Sequence, residues 1–129
     1  MIVSKINYNS LQEIFFKENF NNKLHNKCFS SIRLADPNKY KLNADFAIQT
    51  KQEKTTSFFG IARIVSIKEI TIDQITDEMA LLDTGLSRKD LVKLILKAYS
   101  GQIKDLSTTF FQYIIFEHLT LQQYEGTNN

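Results

Sequence analysis

Thr56–Ile67 reads TSFFGIARIVSI, and the fold class follows from it. Ile61, Arg63, Val65 and Ile67 alternate with Ala62, Ile64, Ser66 and Lys68, which is the two-residue period of a strand. Both sets are largely apolar, so the strand is expected to lie nearly buried on both faces. Gly60 inside it predicts a bulge or the close approach of another group. Upstream, Ala44–Thr50 (ADFAIQT) alternates as well, and the polar Lys51–Thr55 between the two runs predicts a hairpin. Downstream, Phe110–Leu119 (FFQYIIFEHL) is a second strongly apolar strand. Strands are therefore expected near 11–16, 29–34, 44–50, 56–68 and 110–119, forming one curved or closed sheet.

One helix is well marked. Ser87 stands at a capping position, Asp90 follows three residues later, and Leu91, Leu94, Ile95 and Ala98 make one stripe up to Tyr99. Lys89, Lys93 and Lys97 fall on the opposite face, and Gly101 is a stop signal. Ser10 and Glu13 fit a capping box for a helix across Ser10–Leu24, whereas Leu11–Phe16 also fits a short strand with a helix after Lys17. Strands that do not alternate regularly with helices indicate an α+β or closed-sheet domain rather than a βαβ fold.

The 129 residues suit one domain spanning 1–129, with 1–10 as an N-terminal extension and 120–129 as a polar tail. A hydrophobic share of 43% and an aromatic share of 12% exclude intrinsic disorder. Every apolar stretch meets a charge before the ~18 residues that a membrane span requires. MIVSKINYNS lacks the apolar run of a secretory signal, and one Cys makes no internal disulfide, so a cytoplasmic protein without membrane partners is expected. Net charge is only +2, but it is segregated. Residues 1–41 carry seven cations against three carboxylates, and residues 69–90 carry two against six. Such separation either steers a polyanion toward one face or marks ordinary solvated surfaces.

Phosphate loops, dinucleotide fingerprints, nucleophile elbows and zinc-binding His pairs are absent from the sequence. No metal site and no cofactor is predicted. Cys28, next to Lys27, is either a thiol activated by a neighbouring ammonium or a small buried hydrophobe.

Glu13–Leu34, EIFFKENFNNKLHNKCFSSIRL, resembles the opening of the ASCH domain family, which has the PUA-like fold. Its strand ending in aromatics would be Ile14-Phe15-Phe16, its helix the region around Phe20–Leu24, its turn Asn26-Lys27-Cys28, and its Thr-Ile-Arg strand end Ser31-Ile32-Arg33. An aromatic followed by Gly-Asp is degraded here to Tyr40–Asp45 (YKLNAD). Gly60–Ile70, Thr71–Gly85, Ser87–Tyr99 and Phe111–Glu117 resemble later family segments, so the likeness spans about residues 11–119. It implies a PUA-like small β-barrel with flanking helices, and it favours strand-then-helix at the N-terminus over the capping-box reading.

The same resemblance implies RNA or nucleotide binding in a cleft between barrel and helices. It also relates the chain to a compact bacterial branch whose members hydrolyse the amide of acetylated cytidine nucleosides with a Lys, a Thr and a Glu. Aligned without gaps from Phe15 to Arg33, the Lys and Thr positions fall on Cys28 and Ser31, and through the acidic segment the Glu position falls on Asp83. Ser31 keeps a hydroxyl, Asp83 a shorter carboxylate, and Cys28 lacks the ammonium, so weak or absent turnover is expected. The first functional expectation is therefore an RNA or nucleoside/nucleotide ligand held by Arg33, Lys27, Ser31, Tyr40 and Lys41, with Arg33 on a phosphate and Tyr40 stacking on a base. The second is amide hydrolysis at the same cleft. The third is a protein-interaction module in which Arg33 pairs with Asp83 and the aromatics belong to the core.

Overall fold

The computed structural model describes residues 11–127, so Ser10 and the N-terminal extension lie outside the described residues. Five strands form one mixed sheet: β1 Gln12–Phe16, β2 Cys28–Leu34, β3 Asp45–Gln52, β4 Thr55–Ile70 and β5 Phe111–Leu119. Their order is β1-β3-β4-β5-β2. β1 runs parallel to β3, and every other pairing is antiparallel. Among the described residues, helices α1 Asp77–Thr84 and α2 Arg88–Ala98 lie between β4 and β5, and α3 Leu121–Thr127 follows β5. The architecture is α+β, with the sheet curled into a half-barrel. Each expected strand is present, and Glu13 lies in β1 rather than in a helix.

Strand β4 owes its curvature to two extra residues. Ile48 faces Gly60 and Gln49 faces Phe58, which leaves Phe59 unpaired beside the glycine. Ile64 faces Phe116 and Ser66 faces Ile115, which leaves Val65 unpaired. An inserted residue reverses the in–out alternation beyond it and increases local twist. Ala62 and Ile64 therefore share the inner face with Ile67 rather than with Ser66. Val65, read from the sequence as part of a buried alternation, is 40% exposed because it is that extra residue. Gly60 approaches the ring of His118, which a β-carbon there would meet at 3.6 Å.

The sheet is apolar on both faces. Inside the curl, Ile14, Phe16, Leu24, Phe29, Phe46, Ile48, Ile64, Ile114 and Phe116 form the larger core. Phe29 stacks on Phe116, and Phe46 meets Phe116 edge-on, so aromatics fill its centre. On the other face, Ile32, Ile70 and Phe111 pack against Ile72, Ile75, Ala80, Leu91 and Ile95 of the helical segment. Helix α2 starts where expected: the Ser87 hydroxyl accepts from Asp90 N at 3.2 Å.

The curl brings the two edge strands together. Phe16 of β1 and Phe29 of β2 meet edge-to-face with centroids 5.8 Å apart. Arg33 Nη2 of β2 donates to the Phe15 carbonyl of β1 at 2.9 Å. No helix among the described residues is long and apolar enough to cross a membrane.

Truncating Phe46→Ala at the centre of the inner core should lower unfolding free energy in urea by about 3–5 kcal/mol. Val65→Thr at the exposed bulge should change it by no more than about 0.5 kcal/mol.

Candidate functional site

Between the end of β1 and the helices lies a cleft of about 560 Å³. Phe15, Phe16 and Lys17 form one side, Ser31 and Arg33 the floor, Asp83 one end, and Leu94, Lys97 and Tyr99 the helical wall. Its charged lining is four cations, Lys17, Lys23, Arg33 and Lys97, against two carboxylates, Glu18 and Asp83.

Lys23 enters this cleft because the chain before it is kinked. Phe20–His25 consists of 3-10 turns joined at Asn21 and Asn22, whose φ angles are +58° and +54°. Left-handed backbone costs an ordinary residue about 1–2 kcal/mol, and asparagine is among those that tolerate it. Asn19 secures the turn through Oδ1, which accepts from Leu24 N at 2.9 Å. Asn21 Nδ2 donates to Leu81 O at 3.3 Å and so ties the turn to α1. Leu24 is then fully buried, and its carbonyl lies 2.8 Å from His118 Nε2. Lys23, only 5% exposed, is directed at α1.

There Lys23 Nζ donates to Asp83 Oδ1 at 2.9 Å, and Ser30 Oγ donates to the same oxygen at 2.6 Å. Asp83 occupies the last turn of α1, whose end is set by Gly85 at φ +76°. Its second oxygen, Oδ2, receives no hydrogen bond among the described residues. Ser30 and Ser31 are successive on β2 and point to opposite faces. Ser30 therefore reaches Asp83 on the helical side, while Ser31 faces inward with Phe29 and Arg33. Arg33 Nε donates to Ser31 Oγ at 2.8 Å, and its guanidinium lies 4.6 Å from the Phe16 ring centroid. Lys23 Nζ sits 5.6 Å from the same centroid.

Burial dominates the electrostatics of Lys23 and pulls its pKa below the usual lysine value. The Asp83 charge and hydrogen bond oppose that shift, while Arg33 adds to it. Tyr113 is shifted upward by burial, with a further contribution from the Asp83 charge.

Of the residues singled out by sequence, Ser31, Arg33 and Asp83 meet at this cleft. Cys28 and Lys27 are exposed at the start of β2, where Cys28 Sγ lies 3.9 Å from Glu117 Oε2. A lysine placed at position 28 would therefore meet Glu117 rather than the cleft. Lys41 is exposed outside the cleft. Tyr40 is buried against Phe46 with ring centroids 6.0 Å apart, and this burial raises its pKa despite the opposing Arg33 charge. The aromatic surfaces available in the cleft are Phe15, Phe16, Phe20 and Tyr99. Asp83 is paired with Lys23, and Arg33 is oriented by two bonds, from Nε to Ser31 Oγ and from Nη2 to the Phe15 carbonyl.

Lys23 and Ser30 are the participants that sequence reasoning missed. The available signal was Asn21-Asn22-Lys23, two residues tolerant of left-handed backbone immediately before a cation. Among the described residues no group of three or more His, Cys, Asp or Glu side chains is placed to hold a metal. No family model matches the chain, and no curated protein or solved structure does either.

Breaking the buried pair should be costly, because the remaining charge is stranded. Lys23→Met should lose about 3–5 kcal/mol, whereas Lys23→Met/Asp83→Leu should recover most of that loss. The pH profile supplies a second check. With its folded pKa below 10.5, Lys23 releases its proton in the native state first, so unfolding takes up a proton between the two values. Its contribution to stability thus becomes more favourable as pH rises through that window. Chemical denaturation of the double variant should lack this alkaline component.

Proposed function

We propose that this chain is a PUA-like domain of the ASCH type, which binds a nucleotide-sized anionic ligand, free or as part of single-stranded RNA. The observation that carries this reading is the cleft itself. Its volume of about 560 Å³ lies within the ~300–1,000 Å³ of small-ligand sites. It combines an excess of positive charge with aromatic surface. Phe15, 41% exposed, offers a face for a base, and Lys17 and Lys97 are exposed where a phosphate would enter. Arg33 supports the arrangement from below, held in orientation by Ser31, the Phe16 ring and the Phe15 carbonyl. Curling of the sheet until its edges meet, with helices along one side, agrees with the barrel that the ASCH resemblance implies.

Binding carried by phosphate contacts depends on salt, because each contact releases counterions. Affinity for a short single-stranded RNA, measured by fluorescence anisotropy, should fall several-fold between low and moderate ionic strength. Lys17→Ala and Lys97→Ala should each weaken it and flatten the salt slope, while Lys41→Ala should change neither. Salt-independent binding, or a Lys17→Ala/Lys97→Ala protein that binds like wild type, would sink the reading.

The Lys23–Asp83–Ser30 contacts favour amide hydrolysis at the same cleft as a second reading. They supply the ammonium that Cys28 does not, beside a carboxylate and a hydroxyl. Under this reading, acetylated cytidine is turned over by the wild type and Asp83→Asn lowers the rate by about 10²-fold or more. Liquid chromatography of the released cytidine checks it.

A further inference from the structure

Lys23 stands in the relation that activated nucleophiles share: its nitrogen is 2.9 Å from a carboxylate oxygen, and a third group, Ser30, fixes that carboxylate at 2.6 Å. It lines an open cleft although only 5% of its surface is exposed. Among the described residues Asp83 is the hydrogen-bond partner of Lys23 Nζ. A buried ion pair seldom improves stability over apolar packing. Here it is reached through two consecutive left-handed residues, and backbone strain of this kind clusters at functional sites. Arg33 sits against the same Phe16 ring, at 4.6 Å where Lys23 Nζ is at 5.6 Å, and both residues line the one cleft.

We infer that Lys23 is an imine-forming amine, and that the cleft accepts an aldehyde or ketone bearing a phosphate or carboxylate, the anion at Arg33 and the carbonyl at Lys23. The inference rests on the reading of this cleft as the ligand site. Lys23 first passes a proton to Asp83, and the free amine attacks the carbonyl carbon. A carbon–nitrogen bond forms while the carbon–oxygen π pair moves to oxygen, which takes a proton from the attacking nitrogen to give the neutral carbinolamine. The departing hydroxyl then receives the proton held by Asp83 and leaves as water. The sum is one ammonium and one carbonyl converted to one protonated imine and one water, with no oxidation or reduction. The burial that depresses the lysine pKa makes the free amine accessible nearer neutral pH. Asp83, the proton carrier, is itself held in place by Ser30.

Pyridoxal phosphate is a suitable probe, being a phosphorylated aldehyde whose imine is trapped by borohydride. The full-length protein has 13 lysines, and peptide mapping after brief labelling at neutral pH ranks them in one experiment. Exposed Lys51 and Lys54 of the β3–β4 hairpin serve as internal references. Lys23 should be labelled about tenfold or more faster than either, because a held anion raises the local concentration of aldehyde. Pyridoxal, without the phosphate, should lose most of that preference. Arg33→Gln should slow labelling at Lys23 and leave Lys51 and Lys54 unchanged. Labelling of Lys23 no faster than the reference lysines in the wild-type protein overturns the inference, whatever the variant does. Titration calorimetry with a nucleoside monophosphate separates the two proposals. Rapid Lys23 labelling without nucleotide binding upholds the carbonyl site and removes the nucleotide reading. Nucleotide binding with an inert Lys23 overturns the carbonyl site alone.

Discussion

The bond from Arg33 to the Phe15 carbonyl marks the constraint on which the rest of the structure depends: the sheet must curl far enough for its two edge strands to meet. Without that curl, β1 and β2 would lie at opposite ends of a five-stranded sheet, and no cleft would exist between them. Bulges at Phe59 and Val65 supply the bend in the longest strand, and the edge-to-face contact of Phe16 with Phe29 fills the seam with apolar surface. Arginine suits the closing position because its fork serves two partners at once while its plane rests on an aromatic face. The seam is made by side chains, since β1 and β2 end the sheet without pairing with each other.

A second tie runs perpendicular to the first. Lys23 and Asp83 are sixty residues apart and join the turn after β1 to the end of α1. Packing alone does not require charges there. The neighbouring core on the helical face is made of isoleucines, leucine, alanine and phenylalanine, and a similar side chain would fill the same space. Retaining an ammonium, a carboxylate and a hydroxyl in so small a volume is what gives the cleft polar chemistry.

Much of the sheet was legible because strands β3, β4 and β5 announce themselves by alternation and by β-branched content. The start of α2 was legible for a different reason, since Ser87 and Asp90 form a local capping pattern. Helix α1 was not, and its residues explain why. Thr76 caps it and Gly85 ends it, but its interior buries Ala80, Asp83 and Thr84 and exposes Leu81 and Leu82, the reverse of the usual stripe. The cleft was half legible. Ser31, Arg33 and Asp83 lie in segments whose order was readable, whereas Lys23 and Ser30 acquire their meaning from contacts across more than fifty residues. Cys28 lies at the exposed start of β2 beside Glu117, whereas the kinked turn at Asn21 and Asn22 carries Lys23 into the cleft.

The order of the strands carries a consequence for how the molecule assembles in time. The β3–β4 pair closes through only Glu53 and Lys54, a local connection of the kind that forms in about 1–10 μs in isolated hairpins. β5 joins it only after the whole helical segment has been spanned, and β2 must then find β5 with partners such as Cys28 and Glu117 far apart in sequence. Long-range pairing of this kind slows folding, since loop entropy is lost before contacts compensate. The cleft is built from β1, β2 and the helices rather than from the hairpin. Its geometry therefore depends on the long-range pairings and not on the local hairpin.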